Sequence, residues 1–273
     1  MNNLNILPFL EEDVGSGDLT ASIIPEHINA KAKVVTREPM VLCGQAWFDA
    51  VFKHLNSDIK IHWHHQDADY LQTNTLLCEL EGQARSLLTG ERTALNLLQT
   101  LSATATTAKR YADAVKGTNC KILDTRKTIP SLRIAQKYAV RCGGCDNHRI
   151  GLFDAILIKE NHIMAAGSIS KAIQTARQIS DVLVEVEVES LEQLKEALAA
   201  KPDRIMLDNF SLDDLHTAVQ LNAGKIELEA SGNINLTNIR TVAQTGVNFI
   251  SIGALTKNIK AIDLSMRIDL VLS

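Results

Sequence analysis

The sequence predicts an α/β fold, with an incomplete, six- or seven-unit, TIM-like α/β barrel and a smaller N-terminal α/β sandwich domain. In the second half of the chain, short apolar runs end in a polar or charged residue, and a helical pattern follows each run. Three such runs carry an acid at intervals of 21 residues, at Glu187, Asp208 and Glu229. Such an interval fits one strand, one loop and one helix. Repeated units of this kind build a parallel sheet that right-handed crossovers can close.

Six apolar runs are predicted as the strands of this sheet. They are residues 121–124, 155–159, 182–187, 204–208, 226–231 and 249–253. Between them, leucine and alanine recur at helical spacing, as in residues 191–198. In barrels, the residues at the C-terminal ends of the strands line the functional site. We therefore expect the site at those ends.

The first hundred residues show a different pattern. Strands are predicted at 32–36, 40–43, 59–63 and 76–80, and a helix at 45–54. A long helical tract covers about 84–115, with a candidate break near Gly90. We expect a domain of residues 1–103 and a barrel domain of residues 104–273.

Composition restricts the class of protein. The 273 residues carry a formal net charge of -4, which gives no reason to expect a nucleic-acid partner. The start of the chain has no basic and apolar secretory pattern, and no apolar run approaches the roughly 20 residues that span a bilayer. The five cysteines are scattered, which suits a reducing compartment. We expect a cytoplasmic protein without a membrane partner.

A cluster of positive charge stands out in this acidic chain. Seven fixed cations occur in 34 residues, and they are Arg126, Lys127, Arg133, Lys137, Arg141, Arg149 and Lys159. Glycines and short apolar strands separate them, so we expect several to converge on a pocket. The cluster predicts a small, heavily anionic ligand.

Nine segments, in order, resemble the quinolinate phosphoribosyltransferase family. They lie at 12–20, 90–96, 124–128, 147–149, 158–162, 185–187, 206–209, 229–232 and 251–256. The resemblance implies a pentosyltransferase, the carboxylating nicotinate-nucleotide diphosphorylase. Its reaction moves phosphoribose from phosphoribosyl pyrophosphate to quinolinate and yields nicotinate mononucleotide, carbon dioxide and pyrophosphate, in the de novo synthesis of NAD. It also implies Mg²⁺ without an organic cofactor, and a homodimer.

The resemblance also assigns roles to residues. Quinolinate would be held by Arg92 from the neighbouring subunit and by Thr125, Arg126, His148, Arg149 and Lys159. Phosphate groups would be held by Lys127 and by two turns, Ser231, Gly232, Asn233 and Ile252, Gly253, Ala254. The catalytic residues would be Lys127, Glu187 and Asp208, and the two acids would also face Mg²⁺, directly or through substrate or water. Asn233 replaces a glycine usual in the family, but asparagine tolerates left-handed backbone geometry.

Several features allow other interpretations. Cys142 and Cys145 have the spacing of a redox pair or half a metal site, and His62, His64 and His65 could bind a metal or simply alternate along a strand. Arg133, Lys137 and Arg141 fit one side of a helix and could form salt bridges or an oligomer contact as well as bind a ligand. For the whole chain, the alternatives are a paralogous phosphoribosyltransferase of the molybdate-operon type and a non-catalytic anion-binding barrel.

Overall fold

The computed structural model describes residues 4–271, and they form two compact units. The first unit comprises residues 4–107 and 259–271, and the second comprises Ala108–Asn258. No helix within residues 4–271 is both long and apolar enough to cross a membrane.

Residues 4–114 contain four helices and five strands. In chain order they are α1 (Leu7–Val14), a 3-10 helix (Ala21–Ile23), β1 (Asn29–Thr36), β2 (Met40–Val41), α2 (Gln45–Leu55), β3 (Lys60–Trp63), β4 (Tyr70–Leu71), β5 (Leu76–Gln83) and α3 (Ala84–Ala114). The second part alternates between strands and helices. It contains β6 (Lys121–Leu123), α4 (Arg133–Cys142), β7 (Ile156–Ile158), α5 (Glu160–Ala166), α6 (Ile169–Ile179), β8 (Val184–Val188), α7 (Leu191–Ala200), β9 (Arg204–Asp208), α8 (Leu212–Asn222), β10 (Glu227–Ser231), α9 (Ile239–Ala243), β11 (Phe249–Ser251), α10 (Ala254–Lys257) and β12 (Leu264–Val271).

The first unit is built on an antiparallel sheet of four strands in the order β12-β1-β5-β3. Strand β1 alternates between exposed and buried residues, so one face of the sheet packs inward. Helix α2 buries Trp47, Phe48, Val51 and Phe52 at helical spacing. The predicted α/β sandwich domain is therefore present.

Helix α3 runs without interruption, so the candidate break near Gly90 was wrong. A Cβ at Gly90 would lie 2.8 Å from a ring carbon of Phe52 and 2.9 Å from a methyl of Leu55. The glycine therefore permits α2 and α3 to approach closely rather than ending the helix.

The second unit is a six-stranded parallel sheet in the order β6-β11-β10-β9-β8-β7. Six units confirm the incomplete barrel, because within residues 4–271 no pairing joins β6 to β7. The outer helices pack against an apolar core that includes Val186, Leu194, Ile205 and Ile250. All six strands match predicted runs to within two residues at either end.

The C-terminal segment differs from the predicted domain assignment, which gave residues 104–273 to the barrel. Strand β12 pairs with β1 over eight residues, from Leu264 opposite Thr36 to Val271 opposite Asn29. The segment from Ile259 therefore belongs to the first unit, and the first boundary falls after Thr107.

Candidate active site

A cavity of about 280 Å³ lies at the C-terminal ends of the barrel strands. Its lining residues are Thr125, Arg126, Lys127, His148, Arg149, Leu157, Lys159, Glu187, Met206, Asp208, Ser231 and Ser251. All but Leu157, Met206 and Ser251 were predicted as site residues. The structure thus brings four fixed cations and two acids from separate strands to one place.

A buried ion pair supports the cationic wall of this cavity. Asp124 is fully buried, and it accepts hydrogen bonds from Lys137 Nζ at 2.5 Å, from Asn147 Nδ2 at 2.7 Å and from the His148 backbone N–H at 2.9 Å. Lys137 Nζ also donates to the His148 carbonyl at 2.9 Å. Burial raises the pKa of Asp124 and lowers the pKa of Lys137, and their mutual contact opposes both shifts. The pair ties the end of β6 to the segment that carries Arg149.

Both ring nitrogens of His148 are directed toward protein atoms. Nδ1 accepts a hydrogen bond from the Arg149 backbone N–H at 2.7 Å, so the proton of the neutral ring is on Nε2. Nε2 lies 2.9 Å from a carboxylate oxygen of Glu185 and 3.6 Å from one of Glu229. Burial lowers the pKa of His148, although the charge of Glu229 opposes this shift. His148 therefore lines the cavity with its ring held between the Arg149 backbone and Glu185.

Two other cations of the cavity, Arg149 and Lys159, have different partners. Arg149 donates to the Ala155 carbonyl at 3.1 Å, and burial together with the charge of Arg126 lowers its pKa. Lys159 Nζ contacts a carboxylate oxygen of Glu187. The guanidinium groups of Arg126 and Arg149 are neighbours in a partly buried wall, and they favour a ligand with negative charge.

Two acidic side chains, Glu187 and Asp208, also line the cavity. Carboxylate oxygens of Glu187, Glu189 and Asp208 lie within 4.8 Å of one another. Glu187 and Asp208 are half-buried, whereas Glu189 is exposed. A set of carboxylate oxygens fits Mg²⁺, which takes oxygen ligands and usually keeps some waters.

Lys127 lies beside the turn that follows β11. Its backbone carbonyl accepts a hydrogen bond from the Thr256 hydroxyl at 2.8 Å, and a Cβ at Gly253 would lie 3.3 Å from its side chain. The amide of Ile252 donates to the Leu123 carbonyl at 2.9 Å. In this turn, the predicted phosphate contact therefore rests on Gly253 and Ala254, because the Ile252 amide is engaged in the sheet.

The second predicted turn, residues 231–233, borders a neighbouring cavity of about 180 Å³. Gly232 and Asn233 both have left-handed backbone angles, with φ of 92° and 51°. The substitution of asparagine for a second glycine therefore preserves the left-handed backbone at Asn233.

Two family models cover nearly the whole chain. Residues 104–267 match the C-terminal domain of quinolinate phosphoribosyl transferase, and residues 18–102 match its N-terminal domain. The chain belongs to the quinolinate phosphoribosyltransferase family.

Individual members of this family are similar over their full length. The probable carboxylating nicotinate-nucleotide pyrophosphorylase of Bacillus subtilis is 42% identical over 276 residues, which cover 99% of this chain and 96% of that protein. The solved nicotinate-nucleotide pyrophosphorylase of Francisella tularensis is 50% identical, with a TM-score of 0.94 over 97% of this chain and 94% of that one. The enzyme of the same name from Ehrlichia chaffeensis is 38% identical, with a TM-score of 0.92 over 97% of each chain.

One predicted residue of the quinolinate phosphoribosyltransferase site lies in the first unit. Arg92 is on α3, and it is exposed. Its predicted role in the neighbouring subunit stays a prediction.

The salt bridge left open for Lys137 is confirmed, because Lys137 pairs with the buried Asp124. Sequence reasoning missed Asp124 as that partner, and it missed Glu185 and Glu229, which face His148. The strand register aligns Ser231 with Asp208, and it aligns Glu229 with Met206, two residues below the strand end. Glu229 is therefore a buried group below the cavity. Asp124, which directly precedes Thr125 and Arg126, was the available signal for the pair.

The two alternative metal sites gain no support. Burial raises the pKa of the Cys145 thiol to about 12, and its sulfur donates to the Ala108 carbonyl. His62 and His64 stack edge to face at 4.8 Å, and Nε2 of His64 lies 3.2 Å from Glu79. Within residues 4–271, no group of three or more metal-type ligand atoms includes Cys145, His62, His64 or His65.

Proposed function

We propose that the protein transfers phosphoribose from phosphoribosyl pyrophosphate to quinolinate, with decarboxylation, in the de novo synthesis of NAD. One observation carries this proposal, namely the convergence of four fixed cations and two acids in one cavity. Quinolinate has two adjacent carboxylates, and phosphoribosyl pyrophosphate carries phosphate groups at both ends. Such a pair of anions needs more positive charge than a single carboxylate would.

Quinolinate binds against the wall that carries Arg126, Arg149 and Lys159. Each guanidinium offers a planar pair of donors that matches a carboxylate, and Lys159 supplies a mobile point charge. A quinolinate carboxylate replaces Glu187 as the partner of Lys159. Thr125 and the ring of His148 complete this wall.

The acids act on the ribose. As the pyridine nitrogen attacks the anomeric carbon and pyrophosphate leaves, positive charge develops on the ribose ring, and Glu187 and Asp208 stabilise it. Lys127 and the two turns hold the phosphate groups. The neighbouring carboxylate then leaves as carbon dioxide, its electron pair stays on the ring carbon beside the positively charged nitrogen, and a proton from water bonds to that carbon. The side chains thus contribute position and charge, and no nucleophilic side chain is needed.

Glu187 and Asp208 would hold Mg²⁺, directly or through substrate and water. When bound, this ion neutralises charge on the departing pyrophosphate. The carboxylate oxygens described above support the assignment, because they are hard ligands placed beside the cations that hold the phosphates.

The active assembly is a homodimer, in which Arg92 reaches the cavity of the neighbouring subunit. The exposure of Arg92 on α3 is compatible with such a contact. The cytoplasmic location also stays a prediction.

The reaction is tested by incubating the purified protein with quinolinate, phosphoribosyl pyrophosphate and Mg²⁺. Nicotinate mononucleotide and carbon dioxide should form in equal amounts. Lys159→Met should abolish most of the activity, whereas Lys171→Met, at an exposed position on α6, should retain it. If the unmodified, folded protein forms no nicotinate mononucleotide, the proposed function is rejected.

A further inference from the structure

Asn209 lies between Asp208 and the turn of residues 231–233. It follows β9 directly, and its backbone has a left-handed φ of 57°. Its backbone N–H donates to the Ser231 carbonyl at 2.9 Å. Because Ser231 is paired with Asp208, this hydrogen bond extends the contact between β9 and β10 by one residue.

The side chain of Asn209 connects two predicted substrate-binding elements. Its Nδ2 donates to a carboxylate oxygen of Asp208 at 2.8 Å. Its Oδ1 accepts a hydrogen bond from Nδ2 of Asn233 at 3.2 Å. A carboxylate can only accept, so the contact with Asp208 sets the orientation of the Asn209 amide.

The turn of residues 231–233 packs closely against the side-chain amide of Asn209. A Cβ at Gly232 would lie 2.2 Å from Oδ1 of Asn209 and 2.9 Å from its backbone nitrogen. From the other side, Nδ2 of Asn238 donates to the Asn233 carbonyl at 3.2 Å. Gly232 is therefore needed for the close approach of the turn to Asn209 as well as for its left-handed angle.

We propose that Asn209 is a positioning residue that fixes the distance between Asp208 and the turn of residues 231–233. The proposal rests on the proposed function, in which Asp208 faces the ribose and the turn binds a phosphate group of the same substrate. Because both contacts are made to one molecule, their separation must match the substrate at both points. A side chain that bonds to both elements keeps this separation before the substrate arrives.

The matched substitution is Asn209→Gly, which retains the left-handed backbone and removes only the amide. The KM for phosphoribosyl pyrophosphate should rise at least about tenfold and kcat should fall, because the lost contacts position the groups that act on that substrate. The dissociation constant for quinolinate should stay within about twofold, since its proposed cations lie on other strands. Asn74→Gly, at another left-handed asparagine in the first unit, should leave all three constants unchanged.

A second variant tests the connection itself. Asn233→Gly removes the donor to Oδ1 and should raise the same KM by a smaller factor. In the double variant with Asn209→Gly, the KM should rise little further, because both substitutions remove the same hydrogen bond between Asn233 and Asn209. If Asn209→Gly fails to fold, the KM of Asn233→Gly for phosphoribosyl pyrophosphate still tests the positioning role, since this variant retains the Asn209 side chain.

The outcomes separate this proposal from the proposed function. If the unmodified protein is inactive, the proposed function fails. If it is active and both variants keep the KM for phosphoribosyl pyrophosphate within about twofold, or if the affinity for quinolinate falls equally, the positioning role of Asn209 is rejected and the proposed function stands.

Discussion

Glu229 shows how burial changes the chemistry of a single residue. Its side chain is fully buried, and desolvation followed by the charge of Glu185 raises its pKa to about 7. His148 and Arg204 face it and oppose the shift. A carboxyl with a raised pKa in the folded state contributes stability that is present at low pH and lost as the pH rises through that value.

The pH dependence of stability tests this property. Below about pH 4.5, Glu229 is protonated in both the folded and the unfolded state. Above about pH 7 it is ionised in both states, and its ionisation in the buried site of the folded state then lowers the free energy of unfolding. Glu229→Gln removes that ionisation, so the free energy of unfolding of the variant relative to the unmodified protein should rise by roughly 2–3 kcal/mol between about pH 5 and pH 8. Urea denaturation at a series of pH values measures this difference.

The control is Glu227→Gln, on the same strand and beside the same Arg204, but with an exposed carboxylate. Its stability profile should run parallel to that of the unmodified protein. Parallel profiles for Glu229→Gln as well would mean that the buried carboxyl ionises with an ordinary pKa.

At the level of elements, Gly90 illustrates a choice between helix propensity and packing. Propensity alone predicts that Gly90→Ala stabilises α3 by about 1 kcal/mol. The packing against Phe52 and Leu55 predicts a loss of about 1–3 kcal/mol, because a methyl group has no room. We expect packing to dominate, and therefore a lower free energy of unfolding in urea.

Asn96→Ala provides the comparison, since Asn96 is exposed on the same helix and alanine is the better helix former. This variant should be neutral or slightly more stable. If Gly90→Ala is as stable as Asn96→Ala, the close approach of α2 and α3 does not constrain that position.

The strands of the barrel were predictable because each is a short apolar run followed by a polar residue. Strand β12 was not, because most of its residues are at least partly exposed, and its place depends on pairing with β1, more than 220 residues away. The cationic wall of the site was equally predictable from residue type and position. The groups beneath it were not, because the contact of His148 with Glu185 and Glu229 depends on strand register and burial.

At the scale of the whole molecule, the proposed dimer makes the activity depend on two chains. If Arg92 serves the neighbouring cavity, Arg92→Ala and Lys159→Ala should each be nearly inactive alone. After dissociation and random reassociation in equal amounts, half of the dimers would be mixed and would hold one intact cavity, so activity should return to about a quarter of the unmodified level.

Each variant taken alone through the same treatment is the control and should stay inactive. No recovery in demonstrated mixed dimers would place Arg92 in the cavity of its own subunit or outside the site.

The central claim is that the cavity recognises two carboxylates on one pyridine ring. Nicotinate lacks the carboxylate beside the ring nitrogen, so its binding would leave a cation of the Arg126, Arg149 and Lys159 wall without a partner. That loss costs roughly 2–5 kcal/mol, which corresponds to at least about 30-fold in kcat/KM. The most direct measurement is the ratio of kcat/KM for quinolinate to that for nicotinate, with saturating phosphoribosyl pyrophosphate and Mg²⁺. We predict a ratio above about 30, and a ratio near one would contradict the assignment of this cavity to quinolinate.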